Sequence, residues 1–233
     1  MCSGKPRPFS GNMLKLIAAV TMLIDHTGYY LFPQHIIFRI IGRLAFPIFA
    51  CLIAEGCHYT KNRLRYFLNL FLLGALWQAG RFALLRDTYM NILLTFSCSI
   101  LLTYLLQEWK AKRNTGFLFL LTAAVAATYV LTRYVTLDYG FWGIMVPVLT
   151  TLAYPARGKP MDPSHRALSL ALFTVGLLLV VLRYGTLQLY SLLALPLMYL
   201  YSGKRGKGKY KYAFYIFYPL HLIVLEIIAW LVR

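Results

Sequence analysis

Asp25 and His26 stand side by side within an apolar run, and Arg39 and Arg43 lie within the next one. A charge near the bilayer centre costs at least about 2.5 kcal/mol even on lenient insertion scales, so a span that keeps one has a use for it. A neutral imidazole such as His26 could take a proton from an amine or hydroxyl as it attacks, which is general-base chemistry. Successive residues point about 100° apart on a helix, so Asp25 is not expected to orient the ring of His26. It is expected to pair with Arg39 or Arg43 across the intervening loop, and Arg43 either holds Asp25 or stabilises a developing oxyanion. A buried salt bridge that fixes helix register would use the same residues. For His26, an interhelical hydrogen bond is the competing structural role.

Lys15 precedes His26 by eleven residues. On a helix that is about three turns, or roughly 16 Å, and nearly the same face. Glu55 maps to the depth of Lys15, near the inner end of its segment. Arg43, Gln78, Asp138 and Glu226 map with His26 to the outer half, and His221 lies nearer mid-depth. His221 and Glu226 are five residues apart and fall on different faces, so they are not expected to form a His–acid pair. His58 is expected in an inner basic turn, and His35 and His165 in loops, all three solvated. The four cysteines, Cys2, Cys51, Cys57 and Cys98, form no CxxC pair and read as free thiols. No set of His, Cys, Asp and Glu has metal-ligand spacing, so no metal is assigned.

The elements that must position these groups follow from composition. Of 233 residues, 60% are hydrophobic and only 13% charged, about half the charged share of an ordinary soluble domain. Nine apolar segments follow one another: 13–32, 36–56, 64–85, 92–107, 117–137, 139–154, 167–183, 186–201 and 212–232. Backbone groups in lipid must be satisfied within the segment, so the expected fold is all-α. It is a polytopic membrane bundle of about nine helices forming a single domain over residues 1–233. A membrane β-barrel would need apolar/polar alternation, which is missing. The sixth and eighth segments, sixteen residues each, reach only about 24 Å, and Pro147 and Pro196 are expected to kink them. No internal repeat is evident.

The net charge of +17 could suggest nucleic acid, but the aromatic residues sit in the apolar runs and not among the basic ones. Sorting basic residues by alternate loops places 17 on one side and 7 on the other. By the positive-inside rule the N-terminus is cytoplasmic and, with nine spans, the C-terminus is outside. Lys5 and Arg7 before an apolar stretch could suggest a signal peptide. Asp25 and His26 interrupt that stretch and no cleavage pattern follows, so a retained first helix is expected.

The stretches Leu14-Lys15-Leu16-Ile17-Ala18 and Met22-Leu23-Ile24-Asp25-His26-Thr27-Gly28 resemble the opening of the TraX family. So do Ile41-Gly42-Arg43-Leu44-Ala45-Phe46-Pro47-Ile48-Phe49-Ala50, Ala54-Glu55-Gly56 and His58-Tyr59-Thr60. Asp138-Tyr139-Gly140, Ser202-Gly203-Lys204-Arg205-Gly206 and Phe214-Tyr215-Ile216-Phe217-Tyr218-Pro219-Leu220-His221 extend the resemblance over the whole chain. The founding member of that family N-acetylates conjugative pilin in the bacterial inner membrane. More distantly, the family is similar to membrane acyltransferases that use acyl-CoA. In those enzymes a first-helix arginine precedes a catalytic histidine by eleven positions, which the resemblance maps onto Lys15 and His26.

The resemblance implies an acetyl-CoA- or acyl-CoA-dependent acyltransferase of the bacterial inner membrane. Its acceptor would be a peptide, glycan or lipid amine or hydroxyl at the outer face, and lipids would surround it. His26, Asp25 and Arg43 would form the catalytic group, with Lys15, Glu55, Lys204, Arg205 and His221 binding acyl-CoA. The basic loops, including Lys61, Arg63, Arg65, Lys207 and Lys209, would attract its phosphates. Ordinary positive-inside topology accounts for most of the same charges. Two other functions use similar residues: a transporter or flippase, and a non-enzymatic factor for pilus or secretion assembly.

Overall fold

A computed structural model describes residues 7–206 and 211–232, without the side chains of Lys211 and Tyr212. Cys2, Lys5, Lys207 and Lys209, weighed above, lie outside the described residues, as do Arg233 and the side chain of Lys211, which belong to the basic residues sorted by loop. Ten α-helices are present among the described residues: α1 (Gly11–Tyr30), α2 (Ile36–Gly42), α3 (Ala45–Tyr59), α4 (Arg63–Leu85), α5 (Ile92–Lys112), α6 (Thr115–Tyr134), α7 (Gly140–Leu152), α8 (Pro163–Tyr184), α9 (Leu195–Tyr199) and α10 (Lys211–Val232). A 3₁₀ helix, Thr186–Ala194, leads into α9.

Six stretches are long and apolar enough to cross a membrane: Ile36–Tyr59, Arg63–Leu85, Ile92–Lys112, Thr115–Tyr134, Pro163–Tyr184 and Ala213–Val232. The clearest is α6, in which not one residue is buried. An apolar helix of 20 residues that buries none of them fully in protein needs lipid as its solvent. The chain is an all-helical membrane protein.

Two expected segments take other forms. The second breaks into α2 and α3 at Arg43 and Leu44. Pro47 has no N–H to return to the Arg43 carbonyl, and proline is tolerated in a first turn, so α3 starts afresh. The eighth is not one kinked helix. Pro196 cannot bond back to Leu192, and it sits in the first turn of α9 after the 3₁₀ stretch. Pro147 does lie inside α7, where the carbonyl of Ile144 accepts a hydrogen bond from Ser99 on α5 at 2.9 Å.

The chain divides into two compact units. One comprises Met1–Phe49 and Gly185–Arg233. In it α1 packs against α2 and α10. Ser10 caps α1 by accepting from the Met13 N–H at 3.3 Å. The turn after α9 docks on the same helix end, where the carbonyls of Lys204 and Arg205 accept from the N–H groups of Gly11 and Asn12 at 2.8 and 3.0 Å. The orphan donors of the first turn are thereby satisfied. Glycine sets the α1–α2 distance twice. A Cβ on Gly28 would come within 2.2 Å of the Phe38 Cβ, and one on Gly42 within 2.1 Å of the Asp25 carboxylate. Small residues let helix backbones approach this closely in lipid.

The second unit, Ala50–Tyr184, is built on α5, which packs against α4, α6 and α7, with α8 on α7. Asn91 starts α5. Its side chain accepts from the N–H groups of Leu93 and Leu94 and donates to the Gly74 carbonyl of α4 at 2.9 Å. Gln78 joins it by donating to the Asp87 carbonyl at 2.9 Å, and Asp138 accepts from the Tyr89 hydroxyl at 3.1 Å. Asp162 accepts from the His165 N–H and the Ser164 hydroxyl at 2.8 Å each, which caps α8 just before Pro163. Those bonds, the His165 N–H first, hold its carboxyl down at about 2.

Several basic residues tie carbonyl ends together. Lys110 donates to the carbonyls of Leu152 and Tyr154 after α7, Arg157 donates to the Thr60 carbonyl after α3, and Arg63 pairs with Glu108. His58 is not solvated as expected. It is 1% exposed, with its Nε2 2.9 Å from the Lys159 carbonyl and its ring edge-on to Tyr59 and Tyr154. The Lys159 carbonyl, in the loop between α7 and α8, needs a donor there, so the ring turns inward.

Two substitutions test these packing arguments. Gly42→Ala forces the Asp25 carboxylate aside and should lower the thermal midpoint of the purified protein, whereas alanine at the open Gly80 should not. Asn91→Ala removes a cap and a buried interhelical bond and should destabilise by about 1–3 kcal/mol, read from the same melts.

Candidate functional site

The described residues place the candidate group in the first unit, where α1 packs against both α2 and α10. Asp25 meets both arginines. Arg39 donates from Nη1 to Oδ2 at 2.9 Å, and Arg43 donates from Nη2 to Oδ1 and Oδ2 at 2.8 and 3.0 Å. Arg39 and Arg43 are one helical turn apart, so they share a face of α2 and its end. Arg43 also donates from Nε to the Arg39 carbonyl at 3.1 Å. Its side chain is only 8% exposed. A charge this buried needs full compensation, and Asp25 provides it from the neighbouring helix. Arg39 further lies over the Tyr29 ring, 5.4 Å from its centre.

His26 leaves α1 on another face and meets His221 of α10, Nδ1 to Nε2 at 2.9 Å. His221 in turn has its Nδ1 2.8 Å from the Phe217 carbonyl. A carbonyl only accepts, so His221 Nδ1 carries a proton and donates. In a neutral His221, Nε2 is then an acceptor, and His26 Nδ1 must be the donor to it. The network therefore assigns the proton of a neutral His26 to Nδ1 and leaves Nε2 with a lone pair. The Phe217 ring stacks on His221, with centroids 4.7 Å apart and planes 7° from parallel, which fixes the orientation of the second ring. One turn further along both helices, the Tyr30 hydroxyl donates to Glu226 at 2.8 Å. Successive contacts advance together on both helices, so α1 and α10 run parallel.

The other expected residues are more scattered. Lys204 and Arg205 lie at the foot of α1 with exposed side chains, and their carbonyls are the ones docked on its first turn. The Lys204 N–H faces the Ser202 hydroxyl at 3.3 Å. Lys15 is half-buried on α1, about 16 Å along the axis from His26. Glu55 is half-buried on the part of α3 that belongs to the second unit; in that unit Asp138 is half-buried and Gln78 buried. Glu226 is partnered by Tyr30, as described. Sequence reasoning placed His221 in the cofactor group and missed its bond to His26. The one available signal was its being an imidazole within an apolar span, where it needs a partner. Tyr30 was likewise not expected beside the site as a donor, whereas Arg39 was expected as a partner of Asp25 and is one. Among the described residues no group of three or more His, Cys, Asp and Glu is placed to hold a metal ion.

Comparison with known proteins gives this arrangement a family. The model of the family described as TraX protein matches residues 10–229. The chain is 26% identical to the "Probable fimbrial assembly protein FimC, serogroup H1" of Dichelobacter nodosus, over 93% of this chain and 94% of that protein. It is 46% identical to the "Uncharacterized protein RP591" of Rickettsia prowazekii (strain Madrid E) over 54 residues, 23% of this chain and 21% of the other. No solved structure matches. With the family match running from the cap of α1 through most of α10, and so including Asp25, His26, Arg43 and His221, the chain belongs to the TraX family.

Proposed function

We propose that the protein is a membrane-embedded acyltransferase that moves an acetyl or other acyl group from acyl-CoA to an amine or hydroxyl acceptor. The observation that carries this reading is the relay from His26 through His221 to the Phe217 carbonyl, which leaves His26 Nε2 as a base. The acceptor gives its proton to Nε2 as its nitrogen or oxygen attacks the thioester carbonyl. The tetrahedral intermediate collapses with cleavage of the C–S bond, and the departing thiolate takes the proton back from His26. Such help is typically about 10²–10⁴-fold. Asp25, Arg39 and Arg43 hold α2 against the helix that carries His26. With Arg43 engaged by Asp25, its role in fixing that carboxylate is favoured over direct contact with the oxyanion.

Acyl-CoA is cytosolic and polyanionic, which suits the exposed Lys204 and Arg205 at the opposite end of α1 from Tyr30. The chain crosses the bacterial inner membrane nine times with its N-terminus inside. The parallel run of α1 and α10 supports an odd number of crossings, and the loop charges support the orientation. His26 then lies in the outer half, and the acceptor arrives from the outer face or leaflet.

A non-enzymatic assembly factor is the second reading, favoured by the name of the Dichelobacter nodosus relative. Under it the His26–His221 bond would only join two helices.

Incubating membranes with labelled acetyl-CoA separates the two. Wild type should label an acceptor, and His26→Ala should lose at least about 10²-fold of the rate while remaining inserted and folded. His221→Phe keeps the ring stack but releases the His26 proton, and it should slow transfer about 10-fold or more. Equal labelling by wild type and His26→Ala would remove the enzyme reading. Orientation is checked in a cysteine-free background. Gly158→Cys should react with a membrane-impermeant thiol reagent only after permeabilisation, and Thr88→Cys should react in intact cells.

A further inference from the structure

The 3₁₀ helix, Thr186–Ala194, has the opposite pattern from the apolar helices around it. With three residues per turn, every third side chain stacks on one edge. The buried edge is Gln188, Ser191 and Ala194, whereas Leu189, Tyr190 and Leu193 are exposed. The polar residues thus point into the protein and the apolar ones outward.

Inward polar groups in a membrane protein need partners. Gln188 is 8% exposed and Ser191 1% exposed, yet Gln188 Oε1 and Ser191 Oγ have no hydrogen-bond partner among the described residues. The contrast with α5 is direct, since Ser97 and Ser99 there each donate to a carbonyl four residues back. Two orphaned atoms one turn apart on one edge form a short row of hydrogen-bonding capacity. The 3₁₀ helix packs against α2, the helix of Arg39, within the unit that holds the histidine pair.

We infer that Gln188 and Ser191 form a substrate-positioning subsite that receives a neutral group bearing N–H or O–H. A carboxamide oxygen only accepts, so an unprotonated phosphate or carboxylate cannot satisfy the unpartnered Gln188 Oε1, whereas an amide, amine or hydroxyl can. This inference rests on the acyl-transfer reading. There the shared chemistry has two sources: the amides of the pantetheine arm, and the acceptor's own amine or hydroxyl.

The test uses the full chain in lipid nanodiscs and in native membranes, with Gln188→Met, Ser191→Ala and the double variant. Methionine keeps the length of glutamine and removes its acceptor. Because the two groups are unsatisfied without substrate, the variants should melt at or above the wild-type temperature. If the row holds the donor, acetyl-CoA should bind about tenfold more weakly to each single variant, with binding of adenosine 3′,5′-bisphosphate, which lacks the arm, unchanged. If it holds the acceptor, acetyl-CoA binding should be unchanged. Labelling of membrane acceptors at saturating acetyl-CoA should then fall about tenfold. A clear drop in the melting temperature, or variants that match wild type in binding and labelling, overturns the inference; in the latter case ordered water alone fills the row. Wild type that neither binds acetyl-CoA nor labels any acceptor fails at a different point. That outcome removes the acyl-transfer reading, and the subsite goes with it.

Discussion

One hydrogen bond between two imidazoles, 2.9 Å long, joins residues 195 positions apart and gives the first unit its chemical direction. The Phe217 carbonyl sits at one end of this relay and can only accept. Its demand for a proton passes through His221 and is felt at His26, whose far nitrogen is left unprotonated. The direction needs no charged residue to impose it. It is imposed by a main-chain group that helix α10 already presents, together with the Phe217 ring that keeps His221 in plane.

For that bond to form, α1 must keep a fixed rotation and depth relative to α10. Another face of α1 meets that need. Asp25 follows directly before His26, so its side chain leaves the helix on another face and reaches α2, where two arginines hold it. A buried ion pair of this kind adds little net stability over an apolar pair, but it has few alternative registers. Gly42 and Gly28 extend the argument to backbone distance, since no side chain larger than hydrogen fits between the helices at either point. Adjacent residues on one helix thus divide the work, one fixing the helix and the other being fixed by it.

Much of this was legible in the sequence, and the reasons are local. Apolar length gave the helices, and the 100° step between Asp25 and His26 correctly sent the acid toward Arg39 and Arg43. Proline effects were read only in part. Pro47 ends the hydrogen-bond ladder and splits the second segment, and Pro196 begins a helix after a 3₁₀ stretch that apolar periodicity cannot separate from an α-helix. The bond from His26 to His221 was not legible, because it depends on which helices lie side by side. Depth along the membrane, the only coordinate available from sequence, placed the two rings at somewhat different levels. His58 was missed for a similar reason. A basic turn looks solvated until the carbonyl ends that need donors are seen to converge on it.

The most direct test of the account is the protonation pattern of the two rings. Nitrogen-15 NMR of histidine-labelled protein in lipid, near neutral pH, distinguishes the tautomers and detects scalar coupling across an N–H···N bond. His26 and His221 should both be neutral with the proton on Nδ1, and His26 Nδ1 should couple to His221 Nε2. A His26 protonated on Nε2, or two rings with no coupling between them, would contradict it.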